Sequence, residues 1–237
     1  MTDEQRKELL HRAKEFFKNE LLFSHFTGGL KRAANLDKYK VNPFLFKYLA
    51  NFLNGNDDAR SIAEALIYPR ILGSSITTTF GMQIQKHISK MFDGIAGSTT
   101  SGIDIEFIDA IDGRKKYCQL KSGPSTINAS DVETIIGHFD KVKGLARTNN
   151  VPLAFTDLVV GVIYGEPKQL SSHYKKLNKQ FPVYIGKEFW HRLSGKADFY
   201  GDLIDAIGEI AIDVDASKQL QEAIDKLEVQ IKTKYSM

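Results

Sequence analysis

The stretch Ser101–Lys121, SGIDIEFIDAIDGRKKYCQLK, decides the fold of this chain. Residues 103–111 alternate apolar and mostly acidic side chains, which is the period of a half-buried β-strand. Asp112-Gly113 is a hairpin turn signal, and residues 115–121 have the pattern of the returning strand. The stretch therefore predicts a β-hairpin.

Three polar side chains of this hairpin are predicted to converge. Asp104 precedes Gln119 by 15 positions (119 − 104), so a hairpin turned at Asp112-Gly113 brings Asp104 back beside the second strand. Gln119 and Lys121 are two residues apart on that strand and point to one face. A carboxylate, an amide and an ammonium group then lie within reach of one point.

This set of groups suits hydrolysis of a phosphodiester with the help of Mg²⁺. The ion prefers oxygen ligands and takes few of them from the protein, the rest coming from water and substrate phosphate. Asp104, the Gln119 amide oxygen and the Leu120 backbone carbonyl are the candidate ligands. Lys121 is expected to orient the attacking water or to stabilise charge in the transition state. The alternative is an ordinary cross-strand ion pair between Asp104 and Lys121 beside a surface glutamine.

Outward from the hairpin, the chain predicts an α/β fold. Residues 130–148 have an apolar face at helical spacing, and residues 157–164 are apolar throughout, as in a strand buried on both faces. Residues 182–186 predict a shorter strand. Further helices are predicted at 3–23, 43–53, 61–68, 79–92, 187–194, 200–212 and 217–233. We infer a mixed central sheet flanked by helices, with helical additions at both ends of the chain.

Composition and charge narrow the class of protein. The 237 residues are 42% hydrophobic and 26% charged, which excludes disordered and fibrous chains. No apolar run approaches the roughly 20 residues of a membrane span, and the N-terminus is charged, so a cytoplasmic location is expected. One cysteine, Cys118, excludes an internal disulfide and a cysteine-type zinc site. Residues 113–200 carry 14 basic and 7 acidic residues, whereas residues 201–237 carry 4 and 8, so the basic middle predicts a polyanion site.

Five longer segments accompany the hairpin residues and are too specific to be generic motifs. They are Val41–Phe44 (VNPF), Tyr68–Gly73 (YPRILG), Leu120–Gly123 (LKSG), Val159–Gly165 (VVGVIYG) and Val183–Trp190 (VYIGKEFW). Asp104 and Gln119-x-Lys121 are similar to the acidic and (D/E)xK positions of the PD-(D/E)xK nuclease superfamily. From about residue 41 to 193 the chain resembles the EcoO-type type II restriction endonucleases. Those enzymes recognise the interrupted palindrome RGGNCCY, and relatives recognise GGNCC.

This resemblance implies a homodimer that cleaves double-stranded DNA at a short GGNCC-like palindrome in a Mg²⁺-dependent reaction. It also implies functional pairing with a cognate DNA methyltransferase. Gln119 departs from the superfamily pattern, which usually has Asp or Glu there, and the missing negative charge weakens the expected metal site. Glu64 is the preferred compensating carboxylate, and Glu106, on the face of Asp104, is the second. For each of them, a solvated or ion-paired glutamate is the alternative.

DNA contacts are expected from the segment Ser122–Asp131, which directly follows the candidate catalytic strand and is polar without high charge. Its hydroxyl and amide groups suit phosphates and base edges. The expected contacts within it are Ser122, Ser125, Thr126 and Asn128. Lys86 and Lys90, with His87 beside them, form a basic cluster at helical spacing that suits phosphate, with a solvated helix face as the alternative.

The expected domain organisation has three parts. Residues 1–95 form a helical N-terminal region for dimerisation or DNA contact, residues 96–195 form the nuclease core, and residues 196–237 form C-terminal helices packed on that core. The acidic helix at 217–233 and the N-terminal region are the candidate dimer elements. Two other classes stay open: a structure-selective or methylation-dependent nuclease with the same core, and a catalytically inactive DNA-binding homologue. A pure binder would show salt-dependent affinity without strand scission.

Overall fold

A computed structural model describes residues 2–22, 25–42, 44–92, 95–98, 100–213 and 217–236. The chain divides into two compact units. The sheet unit comprises residues 1–14 and 81–208, and the helical unit comprises residues 15–80 and 209–237. The chain therefore enters the helical unit twice, and the unit boundaries differ from those expected at 95/96 and 195/196.

Five strands and ten α-helices are assigned within the described residues. The strands are β1 (Ala96–Gly97), β2 (Ile105–Ile108), β3 (Lys115–Lys121), β4 (Leu158–Val162) and β5 (Val183–Ile185). The helices are α1 (Asp3–Phe16), α2 (Lys31–Ala33), α3 (Phe46–Asn54), α4 (Ala59–Pro69), α5 (Ile76–Met91), α6 (Ala129–Thr148), α7 (Ser172–Leu177), α8 (Lys187–Ser194), α9 (Phe199–Asp213) and α10 (Ser217–Tyr235). The predicted helix end at Phe23 and the predicted helix start at Pro43 lie outside the described residues. Each described helix is too short or too polar to cross a membrane.

The strands form one mixed sheet in which they lie in chain order. β1, β2 and β3 pair antiparallel, whereas β3, β4 and β5 pair parallel. Parallel neighbours need a crossover connection, and α6 supplies the one between β3 and β4. The predicted α/β class with a mixed sheet flanked by helices is confirmed.

The predicted hairpin of β2 and β3 pairs Ile105 with Cys118. Its turn is closed by a hydrogen bond from the Asp109 amide to the Arg114 carbonyl oxygen, at 2.9 Å. Gly113 has a φ of +70°, a left-handed conformation that glycine adopts without steric cost. The Asp-Gly signal in the sequence therefore marks the true turn.

The centre of the sheet is buried on both faces, as the apolar run of residues 157–164 predicts. Every residue of β4 is buried. On one face Leu158, Val160 and Val162 share a hydrophobic cluster with residues of α6 and α7. On the other face the approach is close: a Cβ added at Gly161 would lie 2.5 Å from the Phe189 ring and 3.0 Å from the Cys118 Sγ. Cys118 has no exposed surface, and burial raises the pKa of its thiol.

Charged groups are buried at the turn end of β3. Lys116 is fully buried, and its ammonium group lies 2.6 Å from Asp112 and 3.3 Å from Asp157. Arg114 also pairs with Asp157. Because an unpaired buried charge is costly, these partners are needed for Lys116 to occupy the interior.

The helical unit has a core of its own, built by α2, α3, α4 and α10. Ala223, Ile224, Leu227 and Ile231 of α10 belong to that core. The expectation that the C-terminal helices pack on the nuclease core stays a prediction, and α10 contributes to the core of the helical unit. Its apolar stripe finds its partners on N-terminal helices that are about 160 residues away in sequence, and no local pattern encodes that choice.

Candidate active site

The structure brings Asp104 to the end of β3 that carries Gln119 and Lys121. The ladder of β2 and β3 ends at the pair Ile105 and Cys118, and the Asp104 amide donates to the Cys118 carbonyl oxygen at 3.0 Å, one residue out of step with that ladder. Gln119 and Lys121 are two residues apart on β3 and point to one face, and the Asp104 carboxylate reaches the amide of Leu120 between them. The three side chains singled out in the sequence therefore lie at the same end of the hairpin.

The Asp104 carboxylate is fixed by a backbone contact. The Leu120 amide donates to Asp104 Oδ2 at 2.6 Å. Desolvation by the surrounding protein raises the pKa of Asp104, although the Leu120 hydrogen bond and the nearby charges of Lys121 and His138 act in the opposite direction. Asp104 is nevertheless exposed, so its carboxylate is open to a cation, and a cation beside it would favour the charged form.

Gln119 is anchored through its amide nitrogen. The side chain is only 4% exposed, and Nε2 donates to the Ile135 carbonyl oxygen in α6, at 3.3 Å. A glutamate has no donor for that carbonyl. The glutamine at this position of the (D/E)xK pattern therefore has a structural reason, which is its hydrogen bond to Ile135 of α6, 16 residues further along the chain.

Lys121 lies at the end of β3 and is half-buried. Its backbone is held by β4, since its carbonyl oxygen accepts a hydrogen bond from the Ile163 amide at 2.9 Å. Within the part of the chain that the structure describes, its ammonium group has no hydrogen bond or ion pair, and its charge acts on Asp104. The direct Asp104–Lys121 ion pair of the non-catalytic alternative is thus absent among the described residues.

Two further side chains beside this site were not anticipated from the sequence. Gln85, on α5, donates through Nε2 to the Leu120 carbonyl oxygen at 2.5 Å. The His138 ring, on α6, lies against Gly102, where an added Cβ would come within 2.2 Å of it. Its Nδ1 is buried without a hydrogen-bond partner among the described residues. A glycine two residues before Asp104 was the one sequence signal of this close packing.

The candidate carboxylates for completing the site have other partners. Glu106 pairs with Lys115 at 2.7 Å and accepts a hydrogen bond from Ser98 Oγ at 2.6 Å. Burial alone would raise the pKa of Glu106, but these contacts lower it overall. Glu64 belongs to the helical unit, where it accepts a hydrogen bond from Asn54 and pairs with Arg60.

The donor set near Asp104 consists of oxygens. No group of three or more His, Cys, Asp or Glu side chains suitable for a metal occurs among the described residues. The Asp104 carboxylate, the Leu120 carbonyl and the Gln119 amide are hard ligands with one formal negative charge. Such a set fits a hard cation that keeps several waters, and does not fit zinc.

The segment after β3 is held by hydrogen bonds of its own. Thr126 Oγ1 donates to the Gly123 carbonyl oxygen at 2.9 Å and lies 3.1 Å from the Tyr174 hydroxyl. Asn128 caps α6, accepting from the Asp131 amide at 3.0 Å, while the Asp131 side chain accepts from the Asn128 amide. Two of the four expected DNA contacts in this segment therefore also have structural tasks, whereas Ser125 is exposed.

The predicted basic cluster on α5 is split by the fold. Lys86 and Lys90 are exposed and one turn apart. His87 faces the opposite way and is 5% exposed, together with the buried Ile84 and Ile88. The surface cluster thus contains the two lysines without the histidine.

Comparison with known proteins identifies the chain as a type II restriction endonuclease. The family described as "Type II restriction endonuclease EcoO109I" matches residues 19–215, which is most of the chain, and the protein belongs to that family. It is accordingly a type II site-specific deoxyribonuclease, a hydrolase that acts on phosphodiester bonds in DNA. No curated protein matches it.

Proposed function

We propose that this restriction endonuclease cleaves double-stranded DNA in a Mg²⁺-dependent reaction at an Asp104–Gln119–Lys121 site of the PD-(D/E)xK type. The observation that carries the proposal is the position of Asp104, whose carboxylate is bound to the Leu120 amide, between Gln119 and Lys121 on β3, and is acted on by the charge of Lys121. Family membership supports DNA as the substrate.

In this proposal each group has a separate task. Asp104, the Leu120 carbonyl and the Gln119 amide oxygen would hold the ion, which when bound supplies positive charge against the phosphate oxygens. Lys121 orients the attacking water and balances charge that gathers on the phosphate. Asp104 is kept in its ligand position by the Leu120 amide, so little reorganisation accompanies the reaction.

Recognition is proposed to follow the resemblance to GGNCC-type enzymes. Ser122, Ser125, Thr126 and Asn128 would lie against the DNA, and Lys86 and Lys90 would contact phosphates. Asn128 caps α6 with its side-chain oxygen, so its side-chain nitrogen is left as a hydrogen-bond donor for DNA. That donor and the exposed hydroxyl of Ser125 support this assignment. The enzyme is expected to act in the cytoplasm, with a cognate methyltransferase that protects the host sites.

A homodimer is proposed because a palindrome has two antiparallel strands, and two subunits related by two-fold symmetry place one active site on each of them. The surface of α3 supports it, since Tyr48 and Phe52, one turn apart, are 62% and 74% exposed. Phe44, which precedes the helix, is 88% exposed. Exposed aromatic residues in a row are typical of a surface that binds another protein.

The function is tested by digesting a sequenced plasmid with the purified protein and mapping the ends of the products. Discrete, palindromic cut sites that appear only with Mg²⁺ are expected. The matched control is Asp104→Asn, which keeps the size of the side chain and should produce no ends. Salt-dependent DNA binding without cleavage by the wild type would instead identify an inactive DNA-binding homologue, and cuts at branched or methylated DNA would identify one of the other nuclease classes.

A further inference from the structure

The peptide group of Leu120 is held on both of its polar atoms. Its amide donates to Asp104 Oδ2 at 2.6 Å, and its carbonyl oxygen accepts from Gln85 Nε2 at 2.5 Å. Successive residues of a strand direct their backbone groups to opposite neighbours. Because the Cys118 carbonyl faces β2, Leu120 two residues later faces the same side.

On that side Leu120 has no strand partner. The pairing of β2 with β3 ends at Ile105 and Cys118, so the Leu120 carbonyl lies one step beyond the ladder, at the open end of the hairpin. A backbone carbonyl near the interior needs a partner. Gln85 fills the place that a third residue of β2 would otherwise take, and it does so with a neutral group that leaves the anionic charge of the site unchanged.

The position of α5 beside this end of β3 is fixed at a second point. Gly81 lies one helical turn before Gln85, and a Cβ added there would come within 3.2 Å of the Ser122 side chain. The helix thus approaches the strand closely at Gly81 and binds its backbone at Gln85. The Gln85 side chain is half-buried, so its reach to the carbonyl is restricted.

We propose that Gln85 is a positioning residue of the nuclease site. A carbonyl oxygen has two lone pairs. Gln85 takes one of them and thereby fixes the direction of the other, which is the one available to the cation. Gln85 touches neither the DNA nor the reacting atoms, and it acts through Leu120. This inference rests on the proposed function, in which the Leu120 carbonyl is a ligand.

The test compares Gln85→Met, which removes the donor but keeps the length of the side chain, with the wild type. The matched control is Gln219→Met, at an exposed glutamine of α10. The first measurement is the Ca²⁺ concentration that half-saturates binding of a plasmid fragment that the wild type cuts. The second is the Mg²⁺ concentration for half-maximal cleavage of that fragment, and the third is the melting temperature without metal.

For Gln85→Met, both metal concentrations should rise by about tenfold or more, as for other residues that orient a ligand. The melting temperature without metal should stay close to that of the wild type, and Gln219→Met should change none of the three quantities. Gln85→Leu should repeat the result of Gln85→Met. Unchanged metal requirements would overturn the inference, and so would both Gln85 variants failing to fold, since Gln85 would then serve the fold alone.

Asp104→Asn, measured in parallel, separates this inference from the function on which it depends. If Asp104→Asn is inactive while Gln85→Met keeps the wild-type metal requirement, the active site stands and the role of Gln85 is wrong. If Asp104→Asn cleaves like the wild type, the site assignment itself fails, and the inference fails with it.

Discussion

Asp104 has no partner of opposite charge at bonding distance among the described residues. Its pKa is raised, its Oδ2 is bound to the Leu120 amide, and Lys121 acts on it through space. This balance differs from that of Glu106, which pairs directly with Lys115. Of the two, Asp104 is therefore the carboxylate suited to hold a cation.

We expect Asp104→Asn and Lys121→Ala each to abolish metal-dependent cleavage while DNA binding is retained. Asn keeps the acceptor for the Leu120 amide but removes the charge. Lys115, the other lysine on this face of β3, is at the opposite end of the strand and is paired with Glu106, so it cannot replace the Lys121 ammonium group. Less repulsion of phosphate should make the affinity of Asp104→Asn for DNA equal to or above that of the wild type. Single-turnover cleavage and fragment binding measure the two effects, and wild-type cutting by Lys121→Ala would contradict the assignment.

Gln119→Glu should lower the Mg²⁺ concentration needed for cleavage, because a second negative ligand strengthens attraction for the ion. The same change removes the donor to the Ile135 carbonyl and sets two oxygens against each other at about the present 3.3 Å. In EDTA we therefore expect a loss of about 1–3 kcal/mol in the free energy of unfolding. Urea denaturation with and without Mg²⁺ checks this, and Mg²⁺ should recover part of the loss.

Gln119→Met is the control for that experiment, since it removes both the donor and the ligand oxygen. It should be less stable than the wild type in EDTA and should gain nothing from Mg²⁺. A Gln119→Glu protein as stable as the wild type in EDTA would show that the Ile135 contact contributes little.

At the scale of the element, the hairpin has the candidate catalytic groups at one end and a buried ion-pair network at the other. The hydrogen bond from Arg114 is the main cause that lowers the pKa of Asp157 to about 2, with Lys116 adding to it. A carboxyl group whose folded-state pKa lies below its unfolded value stabilises the fold above the unfolded pKa of about 3.9. That stabilisation is lost as the pH falls through about 2.

We therefore expect the free energy of unfolding of the wild type to fall by roughly 2 kcal/mol between pH 5 and pH 2 on account of Asp157. Asp157→Asn should remove this part of the pH dependence. It should also be less stable at pH 7 by about 3–5 kcal/mol, because the buried Lys116 loses a charged partner. Urea denaturation across this pH range measures both effects, and an unchanged slope in the variant would contradict the role of Asp157.

Much of the sheet unit follows from local sequence patterns. The alternation in β2, the Asp-Gly turn, the apolar stripe of α6 and the continuous apolar run of β4 each act over a few residues, and the structure follows them. The contacts that a sequence pattern misses are long in range. Gln85 meets Leu120 across 35 residues, and Gln230 meets the Leu36 amide across 194, so neither has a periodic signal.

The same limit applies within the site. The spacing of Asp104, Gln119 and Lys121 predicted that these residues meet at one end of the hairpin, because register in a hairpin is set by its turn. The Ile135 carbonyl that holds Gln119 lies in the next element, and its position depends on how α6 docks on the sheet. Glu64 looked suitable from its place before Tyr68-Pro69, yet its hydrogen bond and ion pair are made within the helical unit.

At the scale of the whole molecule, the helical unit joins segments from both ends of the chain through one arginine as well as through its core. Arg60 of α4 lies 2.9 Å from Asp225 and 2.5 Å from Gln221 of α10.

We expect light scattering to give a mass of twice 26.7 kDa for the full chain. A mass near 27 kDa at working concentration would contradict the homodimer.

The dimer surface is expected on α3. Phe52→Lys places a charge among its exposed aromatic side chains and should shift the protein toward the monomer. Val229→Lys, at a 62% exposed apolar position of α10, is the matched control and should leave the mass unchanged. The opposite result would assign the interface to the acidic C-terminal helix.

Cys118 gives this enzyme a reporter that needs no added label. It is the one cysteine of the chain, it lies at the centre of β3, its carbonyl oxygen accepts from the Asp104 amide, and its thiol is both shielded and hard to ionise. A thiol reagent attacks only the exposed thiolate. The rate of its reaction therefore follows the opening of the strand that carries the site, and a bound duplex or metal ion that holds this strand closed should slow the reaction in proportion.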